Sequence, residues 1–162
     1  MNEAQAIRTG RRTALKAVTI GLIILQLCMT LMFWNDGYGY PFFWFTKFDY
    51  LLNIAVGLVL LFVFAYLLGR SAGRAIIIKK RSWALVGIIY AFAIIVCTTF
   101  TASFVGFFEE GIQNDNAFYD YVLKPLILVG IYSFPLTLVM GGWMGWQIRK
   151  SGLRTDIQIE NI

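Results

Sequence analysis

The chain has no histidine among its 162 residues. Imidazole-ligated haem, histidine zinc sites, histidine general acid–base catalysis and Ser-His-Asp triads are therefore excluded within it. Cysteine is nearly absent as well: Cys28 and Cys97 lie far apart in apolar runs, and no Cys-x-x-Cys occurs. Dithiol redox chemistry and a thiolate metal site have no basis in such a pattern. Charge is scarce, with Asp, Glu, Lys and Arg making up 14% of the residues, against about a quarter in a water-soluble domain. No phosphate-binding glycine loop, nucleophile elbow or pair of intramembrane carboxylates occurs. The expectation is a chain with no enzymatic activity, cofactor or metal.

What fills the sequence instead is oil-soluble. A hydrocarbon core about 30 Å thick needs roughly 20 apolar residues at 1.5 Å rise each. Four uncharged runs meet that ruler: Ala17 to Trp34, Tyr50 to Gly69, Trp83 to Phe108, and Leu126 to Trp146. The third, at 26 residues, is long enough to span with tilt. Membrane β-strands would alternate polar and apolar residues over about ten positions, and no such alternation occurs. The fold class expected is an all-α integral membrane protein, a single domain of four transmembrane helices in an antiparallel bundle. Its outer loops are 35–49 and 109–125, and its cytoplasmic loop is 70–82.

The first run follows Arg8, Arg11, Arg12 and Lys16, which gives it the look of a secretory signal. It is longer than a signal core and leads into Phe33-Trp34-Asn35-Asp36 instead of a small-residue cleavage site, so it reads as a retained first helix.

Lys and Arg in short loops stay on the cytoplasmic side, whereas Asp and Glu contribute little. The amino-terminal segment carries four. Arg70, Arg74, Lys79, Lys80 and Arg81 lie between the second and third runs, and Arg149, Lys150 and Arg154 follow the fourth. That places twelve of fourteen on one side and leaves Lys47 and Lys124 on the other. Both termini are expected in the cytoplasm, in a membrane read as a bacterial plasma membrane. The same basic residues are no sign of nucleic-acid binding, because no recognition module accompanies them.

Polar and small residues recur at helical spacing, which puts them on shared faces. Thr19, Gln26 and Thr30 line one face of the first span. Gln26 lies near its middle, where an amide should hydrogen-bond to a neighbouring helix. Asn53 with Gly57, and Tyr90 with Cys97 and Thr101, do the same in the second and third spans; Thr98, Thr99 and Ser103 add hydroxyls. The fourth span carries Ser133, Thr137, Gly141 and Gly145 at intervals of four, a ladder that lets helix backbones approach closely. Packing of the bundle itself, an interface with a membrane-protein partner or a second copy, and a polar pathway all fit these stripes. No Asp, Glu, Lys or Arg lies in the central part of any run, unlike proton relays and voltage sensors. Pro135, inside the ladder, should kink the helix near Ile131.

The segment from Phe33 to Tyr50 holds ten aromatics, among them Trp34, Tyr38, Tyr40 and Trp44. Rings with an apolar body and a polar tip favour the headgroup zone, so this loop is expected along the outer interface. Gly37-Tyr38-Gly39 matches the end of a potassium filter, but Asn35 and Asp36 stand where Thr-Val would, and no uncharged pore helix precedes them. The acidic second loop, with Glu109, Glu110, Asp115 and Asp120, lacks the regular ligand spacing of an EF-hand. Asn116 is placed to cap a short helix leading to Pro125 at the first turn of the last span.

If both termini are cytoplasmic, a cysteine appended after Ile162 in a Cys28→Ser, Cys97→Ser background should react with a membrane-impermeant maleimide only after permeabilisation. Labelling of intact cells would reverse the orientation.

Overall fold

The computed structural model describes residues 2–32, 51–110 and 116–160. They form four long helices, α1 Glu3–Met32, α2 Leu51–Gly73, α3 Trp83–Glu110 and α4 Lys124–Glu160, packed antiparallel. Each is long and apolar enough to cross a membrane. In the richest apolar window of each span only 11% of residues are buried in α1, α2 and α4, and 22% in α3. That much outward apolar surface is incompatible with water as the surrounding solvent and is the expected exterior of a lipid-embedded bundle.

The helices outrun the apolar runs that announced them. α1 starts about fourteen residues before its apolar run, because Asn2 and Gln5 form a reciprocal capping box: Gln5 N donates to Asn2 Oδ1 at 2.9 Å and Asn2 N donates to Gln5 Oε1 at 3.3 Å. Two otherwise orphaned amides at the helix start are thereby satisfied. At 1.5 Å per residue, the 37 residues of α4 reach about 55 Å, well past a 30 Å hydrocarbon layer. α4 continues through Pro135 as a single helix.

The segment expected as a loop over 70–82 is mostly helical. α2 continues to Gly73 and widens into a five-residue π-helical stretch, Arg74–Ile78, closed by Lys79 N donating to the Arg74 carbonyl at 3.1 Å. Ala75 and Ile76 of that stretch are buried, so the wider turn directs apolar side chains inward where a loop would have left them in water. Only 79–82 remain to reverse the chain. Lys80 there takes a left-handed φ of 50°, a conformation that costs an L-residue about 1–2 kcal/mol. A second π-helical stretch, Tyr119–Leu123, leads directly into α4, with Asp120 N donating to the Asn116 carbonyl at 3.1 Å.

Two backbone seams hold consecutive helices together. Between α3 and α4, a Cβ on Gly87 would overlap the Gly141 carbonyl and sit 2.9 Å from the Gly145 Cα. Between α1 and α2, a Cβ on Gly10 would overlap the Gly69 carbonyl and sit 2.7 Å from the Gly73 Cα. Ala6 and Ala14 flank Gly10 at intervals of four, as Ala65 and Gly73 flank Gly69, and these alanines are all fully buried. Contact between α2 and α3 joins the two hairpins, and α1 also touches α4. The buried cluster, including Ala14, Ala65, Ile76, Ile94, Met144 and Ile148, lies mostly toward the end of the bundle that carries the basic residues. Toward the other end, α1 from Val18 to Leu31 and α2 from Leu52 to Phe64 contribute no buried residue.

The same substitution should therefore have opposite effects at different glycines. Gly10→Ala and Gly87→Ala force backbones apart and should cost about 1–3 kcal/mol. Gly142→Ala, which meets nothing within 4 Å, should gain up to about 1 kcal/mol from helix propensity. Thermal unfolding of the detergent-solubilised variants measures both.

Candidate functional site

The polar residues of the spans and the small-residue faces are the places where this bundle has side chains or backbone to offer. Gly141 and Gly145 face α3 of the same chain. A Cβ on Gly141 would stand 2.8 Å from the Ile88 Cα and 3.0 Å from the Ala91 Cβ, and one on Gly145 3.3 Å from the Gly87 Cα. Thr137, 3% exposed, donates its hydroxyl to the Ser133 carbonyl at 2.7 Å, so its polar group is satisfied along its own helix. The Ser133 Oγ, by contrast, is shielded from solvent with no hydrogen-bond partner.

Gln26 and Thr30 interlock on α1. Thr30 Oγ1 donates to the Gln26 carbonyl at 2.8 Å and accepts from Gln26 Nε2 at 3.3 Å. This i, i+4 arrangement meets part of the amide's needs locally, which lowers the cost of holding it at membrane depth. Asn53 lies against α3: a Cβ on Gly106 would be 2.8 Å from Asn53 Nδ2 and 3.4 Å from the Tyr121 ring. A larger residue at 106 would have to displace the end of that amide side chain. Asn53 Oδ1 is shielded and unpartnered.

Along α3 the stripe of Tyr90, Cys97 and Thr101 passes from half-buried to exposed. Tyr90 is half-buried against the apolar core. Thr101 is exposed and donates to the Cys97 carbonyl at 2.8 Å, while Thr98 is buried at 8% with its hydroxyl oxygen unpartnered. Three shielded polar atoms without partners thus lie on three helices, Asn53 on α2, Thr98 on α3 and Ser133 on α4. The antiparallel register that sets Gly87 beside Gly141 and Gly145 carries Thr98 to the level of Ser133. Unpaired polar atoms cost about 1–3 kcal/mol each, so they are either a liability of the fold or a feature put to use.

Trp34, Tyr38, Tyr40 and Trp44 lie outside the described residues, as does the Gly37-Tyr38-Gly39 segment. At the end of the bundle away from the basic residues, Phe100, Phe104, Phe107 and Phe108 stack along α3. Phe100 and Phe104 meet edge-on at 5.0 Å, and Phe107 reaches Phe118 before α4 at 6.5 Å. Their spacing of four, three and one residues marks a helical stripe, a signal present in the sequence but hidden in a run apolar on every face.

The α1–α2 seam is the feature that charge-centred reading of the amino-terminal segment passes over. Ala6, Gly10 and Ala14 stand at the spacing of a small-residue ladder, but among Arg8, Arg11 and Arg12 they look like filler. Among the described residues, no three Cys, Asp or Glu come together as a metal ion would need. No protein-family model, curated protein or solved structure matches the chain.

Removing unpartnered polar atoms should stabilise the bundle. Thr98→Val and Ser133→Ala are each expected to raise unfolding stability by about 1 kcal/mol, read as a higher Tm in detergent. A fall in Tm would mean that these oxygens are satisfied in the membrane.

Proposed function

We propose that this four-helix membrane protein is noncatalytic and works through helix–helix and outer-loop contacts, as an accessory, assembly, regulatory or immunity-type subunit of a membrane system. The observation that carries this reading is the unequal closure of the bundle. The basic end is sealed by glycine seams and a buried cluster, whereas the other halves of α1 and α2, from Val18 to Leu31 and from Leu52 to Phe64, have no fully buried residue. Lipid and protein are equally apolar neighbours for leucine, so an added helix is selected by shape and by polar groups at the contact. Gln26 and Thr30 supply such groups on α1. The aromatic residues in the sequence between α1 and α2 suit an interfacial contact with a partner as well.

A photo-crosslinking amino acid at Leu27 or Val59, 58% and 65% exposed, tests this in native membranes. Discrete crosslinked protein species are expected from both positions and not from Leu85, which is 60% exposed near the sealed end. Lipid adducts alone at all three positions would defeat the reading.

The unpartnered atoms of Asn53, Thr98 and Ser133 favour a second reading, a homo-oligomeric transporter or channel with a neutral polar pathway. Purified protein in liposomes should then pass an ion or small solute, with the flux altered by Gln26→Leu and Thr98→Val. Vesicles that stay sealed across a broad solute panel remove this reading.

A further inference from the structure

At the basic end, the flank of the α1–α2 seam that faces away from the core forms an open cleft of about 550 Å³, within the range of roughly 300–1,000 Å³ that small-ligand sites occupy. Arg8, Arg11 and Arg12 of α1 and Arg70 of α2 line it, with Leu15 and Tyr66. Among the described residues, no carboxylate lines it. Glu3, on the same helix, is engaged by Arg74 in an ion pair and leaves the four guanidinium groups uncompensated by acidic residues within the cleft. Like charges gathered in this way repel one another, and a bound anion relieves the repulsion.

Two details go beyond a generally basic surface. The Arg11 guanidinium carbon lies over the Tyr66 ring, 4.0 Å from its centre, so cation–π contact ties this side chain across the gap between the helices. Its Nε is shielded from solvent and has no hydrogen-bond partner. The glycine seam brings this about: with Gly10 against Gly69 and Gly73, the helices run close enough for a side chain of α1 to lie on a ring of α2. All four lining cations are arginines, whereas Lys16, on the same helix, is not part of the lining. Planar forked donors match the oxygens of a phosphate in pairs, which a lysine ammonium does not.

We propose that this cleft binds the phosphate of an anionic phospholipid headgroup. The level of the site supports lipid as the source. Lys16 is the last charge before the α1 apolar run and Arg70 the first after that of α2, so the cleft begins where hydrocarbon ends. Leu15 and Tyr66 line the side nearest the apolar runs, where they meet the glycerol and upper acyl region, and the arginines stand at headgroup depth. The flank is also open to the lipid surface, because Thr13 and Ala17, which turn toward the core, are buried on the other side of α1.

The test is native mass spectrometry of the full chain in detergent, titrated with dihexanoyl phosphatidylglycerol, dihexanoyl phosphatidylcholine, glycerol phosphate and inorganic phosphate. A saturable one-to-one adduct with the phosphatidylglycerol is expected, at least tenfold tighter than with the phosphatidylcholine. The double variant R11K/R70K keeps the charge and removes two forks, and should weaken that adduct at least tenfold. K79Q/K80Q/R81Q removes three charges elsewhere at the same end and should leave it within twofold. Unchanged binding by R11K/R70K, or an equal loss in the triple variant, would show diffuse attraction and overturn the site. Glycerol phosphate or inorganic phosphate binding as tightly as the lipid would keep the phosphate chemistry but overturn the membrane source. The variants' Tm values, compared with the parent, separate loss of binding from loss of fold.

Discussion

Close approach of glycine backbones is the constraint from which the rest of this bundle follows. In a bilayer the burial of leucine against leucine is worth little more than leucine against lipid, so helices stay together where their surfaces fit most tightly and where polar groups meet. Here the fit is achieved by removing side chains altogether. Gly87 takes the space between Gly141 and Gly145, and Gly10 the space between Gly69 and Gly73. Each seam pins two neighbouring helices at one end, and the alanine-rich buried cluster grows from these points.

The position of the seams makes the molecule unequal along its length. The half next to the basic residues is close-packed, closed by the π-helical stretch at Arg74–Ile78 and its buried Ala75 and Ile76. The opposite half relies on larger groups: a phenylalanine stack on α3 that reaches Phe118, and the Asn53 amide fitted over Gly106. Asn53, Thr98 and Ser133 place shielded polar atoms without partners in this less tightly sealed part, while Arg11 and Arg74 hold theirs at the basic end. The aliphatic surface of α1 and α2 there is broad and continuous.

Much of this architecture was legible in the residues. The four uncharged runs named the four helices, since only an unbroken helix satisfies its own backbone in lipid. The Ser133–Gly145 ladder was legible too, because small residues at intervals of four stand out against large apolar ones. That it meets α3 was not, as one helix face does not identify its neighbour. Helix ends were harder. The first helix begins with a cap made by Asn2 and Gln5, which hydropathy does not register, and α2 passes beyond Arg70 because nothing after it breaks a helix. Gly10 escaped notice for a chemical reason: in a segment rich in arginine, charge dominates the reading and the small residues between look passive. The arginine cleft required two helices at once, since Tyr66 and Arg70 are more than fifty residues from Arg11 in the chain.

Both seams join helices that are consecutive in sequence. During synthesis the first pair can close as soon as its second member has left the ribosome, without waiting for the other half of the polypeptide, and the second pair can do the same. Each seam closes a loop within its own half of the polypeptide, so neither has to wait for the other. The native contacts thus divide the molecule into two hairpins, each closed by its own seam, joined chiefly where α2 meets α3.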